Sequence, residues 1–266
     1  MRHIYYCFPE GKCKVLTMSY DDGNALDEKV IEIFNRYGIK GTFNLCYPLI
    51  PDKEKVANMY AGHEVASHTM YHPTPDRCPS VDFAMQILDD RKGLESLVGY
   101  VISGFTYPNS GTTKEIEDML PGLGFIYARH DGRGCDPSFR LPENPMNWQP
   151  TCHQADPKLM EYGDFFARFN DRSYLKFMCV YGHSHEFGSG VMEWKKLEDF
   201  CALVGKRDDI WYATSVQLFD YLRAAKNLRY SANCEMVYNP SATSVWIEVN
   251  DEKIIEAKGG CYTRLT

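Results

Sequence analysis

Short apolar runs alternate with longer amphipathic ones along most of this chain, and that alternation predicts its architecture. Residues 15–19 read as a strand, and 25–37 as a helix in which Val30, Ile31, Ile33 and Phe34 recur near helical spacing, with Gly38 as its C-cap. The same reading gives strands at 42–45, 64–67, 101–106, 125–128 and 175–181 and a short one near Trp211. Helices are expected at 53–60, 81–98, 114–120, 157–169, 194–204 and 215–225. Strand and helix in repeated succession imply an α/β protein, either a parallel barrel or a doubly wound sheet. Between 131 and 150 the pattern gives way to Gly, Pro and Asn, but Phe139, Leu141 and Trp148 interrupt it, so the stretch reads as a functional loop rather than a linker. From Leu228 the character changes. Residues 244–249, an Asn250-Asp251 turn, 253–255 and 261–265 read as short antiparallel strands. The expected division is a barrel-sized unit at 1–227 and a small antiparallel β appendage at 228–266.

Composition narrows the classes. With 266 residues, 44% of them apolar, the chain can bury an extensive core. A net charge of -7 without any Lys/Arg run argues against nucleic acid as partner, and leaves carbohydrate or small-molecule partners as the expectation. No stretch reaches the roughly 18 apolar residues of a membrane span, and the first residues lack the apolar core of a signal peptide, so a cytoplasmic protein is expected. Ten cysteines occur without a CxxC pair, which excludes a zinc ribbon and reads as buried free thiols. Nothing here constrains the oligomeric state.

The chemistry concentrates in two segments, Ser19-Tyr20-Asp21-Asp22-Gly23 and Ser67-His68-Thr69-Met70-Tyr71-His72-Pro73. Each follows a predicted strand, at the carboxyl end where parallel barrels carry their active groups. Two His and one carboxylate form a three-ligand metal set that leaves a coordination position open for water and substrate. His68 and His72, at i and i+4, can face one ion if the segment takes a helical turn. Adjacent Asp side chains do not point at one ion in the same way, so one is expected to bind metal while the other handles protons. Taken alone, a DDG triplet is usually a turn and an HxxxH pair usually a surface helix; their occurrence together, in this order, is what carries the reading.

These residues resemble the polysaccharide deacetylases of the NodB-homology type, carbohydrate esterase family 4. Ser19 to Gly23 looks like the family's first motif; Gly62-His63-Glu64 with His68 to Pro73 is similar to its second. The resemblance implies a distorted (β/α) barrel over roughly residues 14–226, with Asp21 as catalytic base and Asp22, His68 and His72 as metal ligands. It further implies a metal-dependent hydrolase that removes an acyl group, N-acetyl above all, from an amino sugar or other carbohydrate. A deformylase, an O-deacetylase, a ureide amidohydrolase acting on a small amide, or a catalytically silent carbohydrate binder would share the fold. Zinc suits two His and one Asp, and cobalt, nickel or manganese are admitted.

The third motif departs from the pattern. Phe105-Thr106-Tyr107-Pro108-Asn109-Ser110-Gly111 looks like a variant of it, with Thr106 where the family has the Arg that orients the base. Arg129, at the end of the following strand, is the candidate replacement, and the main-chain N–H of Asn109 stands where the family places an oxyanion donor. The acid should be a His after a late strand: His183 in Gly182-His183-Ser184-His185 is favoured over His185, because it lies directly beyond the apolar strand. Tyr107, Pro108, Trp148, His153 and His185 are the candidates for lining the substrate pocket.

Overall fold

A computed structural model describes residues 3–130 and 134–265, so positions 131–133 of the expected 131–150 loop lie outside the described residues. In chain order the strands are β1 (Ile4–Cys7), β2 (Lys14–Asp22), β3 (Gly41–Leu45), β4 (Glu64–Ser67), β5 (Gly104–Thr106), β6 (Tyr127–Arg129), β7 (Cys152–His153), β8 (Lys176–His183) and β9 (Ile210–Tyr212). The last part of the chain adds β10 (Arg229–Tyr230), β11 (Met236–Tyr238), β12 (Val245–Val249), β13 (Lys253–Ala257) and β14 (Tyr262–Arg264). The helices are α1 (Asp27–Tyr37), α2 (Val56–Met59), α3 (Ser80–Val98), α4 (Lys114–Met119), α5 (Leu159–Arg168), α6 (Glu186–Ser189), α7 (Trp194–Val204) and α8 (Ser215–Lys226).

β2 organises the molecule. It runs through the middle of a parallel sheet ordered β6-β5-β4-β3-β2-β8-β7, and β9 pairs with its first half. Because side chains alternate along a strand, Leu16, Met18 and Tyr20 turn outward into the cluster made with Val30, Phe34, Phe166, Leu197 and Phe200 of α1, α5 and α7. Ser19 and Asp21 take the opposite face. The sheet curls into a distorted barrel whose two edges meet in one irregular segment: Trp148 bridges to Arg129 of β6, while Cys152 and His153 pair with Val180 and Tyr181 of β8.

Several elements differ from expectation, among them β7, α6, β10 and β11, which the alternation does not predict. The helix expected at 53–60 is a 3-10 turn at Lys53–Lys55 followed by the single helical turn of α2. β1 was not expected, and its partner β12 lies at the far end of the chain, with Ile4 opposite Val249. The tail consists of two three-stranded antiparallel sheets, β1-β12-β13 and β10-β11-β14, so a cut at 227 leaves one strand of the first sheet on the barrel side. Val237, Val245, Ile247 and Leu265 share one apolar cluster with Phe8, Val15, Phe177 and Leu218 at the barrel base. No described helix is long and apolar enough to cross a membrane.

Candidate active site

Asp21 stands at the carboxyl end of β2, directly opposite His183 of β8 on one side and Asn44 of β3 on the other. Cross-strand neighbours present their side chains to the same face, which is why these three meet inside the barrel. Asp21 is 2% exposed, a position at which burial alone would raise its pKa. The Arg129 guanidinium, with His68 and His183 nearby, outweighs burial and holds the carboxyl below its usual range. Arg129 Nη2 donates to Asp21 Oδ1 at 2.5 Å and Asn44 Nδ2 donates to the same oxygen at 2.7 Å, so neither donor occupies Oδ2. Arg129 is itself fully buried, and its Nε donates to Ser19 Oγ at 2.9 Å. It reaches Asp21 from β6, one strand beyond Thr106, with which it pairs across the sheet.

Asp22 lies one residue further along, so it faces away from Asp21. Its Oδ1 is 3.6 Å from His68 Nε2 and 3.6 Å from His72 Nε2, and this buried oxygen has no hydrogen-bond partner. The three donor atoms lie within 4.8 Å of one another. Metal–donor bonds of about 2.0–2.2 Å put neighbouring donors of a tetrahedral ion roughly 3.5 Å apart, so a divalent ion fits here with little rearrangement. The His68 tautomer agrees. His68 Nδ1 lies 2.8 Å from the carbonyl of Thr106, which can only accept, so Nδ1 carries the proton and Nε2 offers its lone pair. Burial, the largest influence on this ring, lowers its pKa and favours the neutral form. The two histidines do not meet on a helical turn as expected. Residues 68–72 form a loop in which Thr69 (φ 71°) and His72 (φ 53°) are left-handed, and Thr69 Oγ1 accepts the His72 N–H at 3.1 Å.

A second His/His/carboxylate group sits beside Asp21. His183 Nδ1 and His153 Nε2 each lie 3.0 Å from Glu186 Oε1, and Gln154 Nε2 donates to Glu186 Oε2 at 2.6 Å. These distances would admit a metal, but the proton arrangement opposes one. His153 Nδ1 accepts the N–H of Ala155 at 3.2 Å, so the neutral ring carries its proton on Nε2 and donates it to Glu186. The group is therefore a hydrogen-bonded network. Burial would lower the pKa of His183, but the hydrogen bond to Glu186 and the charges of Asp21 and Asp22 raise it to about 9. His185, the alternative acid, is half exposed, with Nδ1 3.9 Å from Asp22 Oδ2.

Three candidates for the substrate pocket are placed elsewhere. Trp148 is 3% exposed and packed among Tyr127, Phe177 and Phe219, so its ring belongs to the core. Tyr107 is fully buried, its hydroxyl donating to the Met146 carbonyl at 2.8 Å, and Pro108 is buried beside it. Asn109 is exposed and left-handed (φ 54°), and its side-chain amide lies 3.3 Å from His72 Nδ1 and 3.1 Å from Thr74 Oγ1, tying the third-motif turn to the His72 loop. The residues missed in the sequence are Ser19, Asn44, Gln154 and Glu186. Asn44, a polar residue inside an apolar strand, and Glu186, three residues after His183, were the legible signals.

This geometry defines a class, a curled α/β barrel with three donors that could hold a metal ion and a separate buried carboxylate. The polysaccharide deacetylase family model matches residues 9–128. Solved structures agree on the fold. A Mycobacterium smegmatis protein assigned as a polysaccharide deacetylase superposes with a TM-score of 0.64 at 17% identity, covering 82% of this chain and 93% of that one. The peptidoglycan N-acetylglucosamine deacetylase Bc1960 gives 0.54 at 19% identity, covering 79% and 90%. A carbohydrate esterase family 4 pseudoenzyme from Bacillus anthracis gives 0.53 at 14% identity, covering 81% and 68%. No curated protein matches the sequence.

Proposed function

We propose that this chain is a metal-dependent deacetylase that hydrolyses the N-acetyl group of an amino sugar. The observation that carries the reading is the division of labour between two adjacent aspartates. Asp22 joins His68 and His72 in a donor set suited to a divalent ion, while Asp21 is kept ionised by Arg129 and left out of that set. A divalent ion held by Asp22, His68 and His72, zinc by donor type, supplies Lewis acidity toward an acyl oxygen and acidifies water. Asp21, anchored through Oδ1, takes the proton of the attacking water on Oδ2. His183, whose Nδ1–H is fixed on Glu186, holds a second proton on Nε2 at neutral pH and delivers it to the departing amine. The exposed left-handed turn at Asn109 supplies a main-chain N–H for charge developing on the acyl oxygen.

Acetate release from N-acetylglucosamine oligomers, measured with chelator and with added zinc or cobalt, tests the proposal. Asp21→Asn should abolish turnover and leave metal affinity unchanged; retained turnover overturns the assignment of the base. A silent carbohydrate binder is the second reading, favoured by Thr106 at the third motif and by the pseudoenzyme of the same fold. It predicts no chelator-sensitive release from any acylated sugar.

A further inference from the structure

A pocket of about 300 Å³ opens at the base of the barrel, between the turn at Pro9, β9, α8 and the tail. Its lining is aromatic in Trp211, Tyr221 and Trp246 and polar in Asp220, Thr243 and Ser244. Trp211 and Tyr221 have ring centroids 5.2 Å apart, and Tyr221 stacks toward Trp246 at 6.4 Å with 24° between planes. Both indoles are partly exposed.

Two buried polar groups hold these walls in place. The hydroxyl of Tyr221, a residue 3% exposed, donates to the Cys7 carbonyl at 2.5 Å and accepts the Trp246 main-chain N–H at 2.9 Å, clamping the end of β1, α8 and the tail together. Asn239, fully buried, donates to the carbonyls of Thr243 and Ala257 at 2.8 Å each, and its Oδ1 accepts from Ser241. The loop that presents Thr243 is therefore preorganised. A lining that combines indoles with a carboxylate and hydroxyls matches a pyranose ring, which has apolar C–H faces and a hydroxyl edge, better than it matches a wholly apolar ligand.

We propose that this pocket binds one sugar residue of a glycan, as a site separate from the catalytic centre; the glycan assignment rests on the carbohydrate reading above. Trp211 pairs with Val15, and Asp21 lies six residues further along β2, so the two sites are about 20 Å apart at strand rise. One sugar residue cannot occupy both. The pocket would hold a remote part of a polymer, or a second chain, and raise the local concentration of acylated residues near the metal site. The substrate is on this view polymeric, and short oligomers bind each site independently.

The test uses full-length Asp21→Asn protein, so that the probes stay intact. N-acetylglucosamine hexamer and xylohexaose are titrated while the indole N–H signals of the four tryptophans are followed by NMR. The expected result is a saturable shift at Trp211 and Trp246 with either hexamer, with Trp148 and Trp194 unmoved. Affinity should fall about tenfold or more in the doubly substituted Asp220→Ala, Thr243→Ala protein. Still signals at Trp211 and Trp246 with both probes, an unchanged affinity in that variant, or shifts produced by protein concentration alone, which would mark self-association, each overturn the proposal. Indole shifts without acetate release by the wild type would keep the pocket and remove the deacetylase reading; release without shifts would do the reverse.

Discussion

Asp21 and His183 are neighbours across two strands, and the protein drives their protons in opposite directions. Arg129 keeps Asp21 ionised, while Glu186 keeps His183 charged. Removing Arg129 leaves a buried carboxylate without its cation, so Arg129→Met should cost about 3–5 kcal/mol, seen as a lowered midpoint in urea. Arg129→Lys, a point charge without the fork that serves Ser19, His130 and Asp21 together, should recover only part of this. For His183 the sign follows from its raised pKa: the protonated acid is lost as pH rises through about 9, so kcat should fall on that limb. Glu186→Gln removes the hydrogen-bonded charge that offsets burial, and should move the limb to lower pH. A limb that stays in place would separate the proton donor from His183.

At the scale of elements, the site depends on where strands end and on how they alternate. The strand pattern was readable because β2, β3, β4 and β8 are apolar runs bounded by polar segments, and their carboxyl ends carry Asp21, Asp22, His68 and His183. The His68–His72 turn was not readable: its shape comes from the Thr69 hydroxyl and two left-handed residues rather than from spacing. Nor was β1 readable, since its partner lies some 240 residues away and local sequence says nothing of such a pairing. Glu64, the acidic residue of the second motif, turns out to serve an element and not the chemistry. It is buried at the start of α8, accepting from the Val216 N–H at 2.9 Å, the Tyr127 hydroxyl at 2.7 Å and Thr42 at 2.9 Å. Burial outweighs these donors and pushes its pKa from 4.5 up to about 7. A carboxyl raised in the native state binds its proton more tightly there than in the unfolded chain, so its stabilising effect is complete below pH 4.5 and lost as pH rises through 7. Urea denaturation between pH 5 and 8 should show a decline of about 3 kcal/mol from this group, and Glu64→Gln should flatten it.

For the whole molecule, tail and barrel share one apolar cluster, and β1 stitches the first residues into the tail's sheet. The chain should therefore unfold in one calorimetric transition, and a truncation at 227, which uncovers Phe8, Val15 and Phe177, should give protein that binds a hydrophobic dye or fails to fold. Two transitions, with a folded 1–227 fragment, would show that barrel and tail are independent. The segment from Trp148 to Gln154 has a further consequence. It joins the two edges of the barrel and also delivers His153 and Gln154 to Glu186. If this clasp unlatches by a local opening, ring closure and the support of His183 are lost in one event. The Thr151 and Gln154 amides, bonded to Cys179 and Tyr181, should then exchange with deuterium together, and a substitution that quickens their exchange should slow amine protonation without touching a group that contacts substrate.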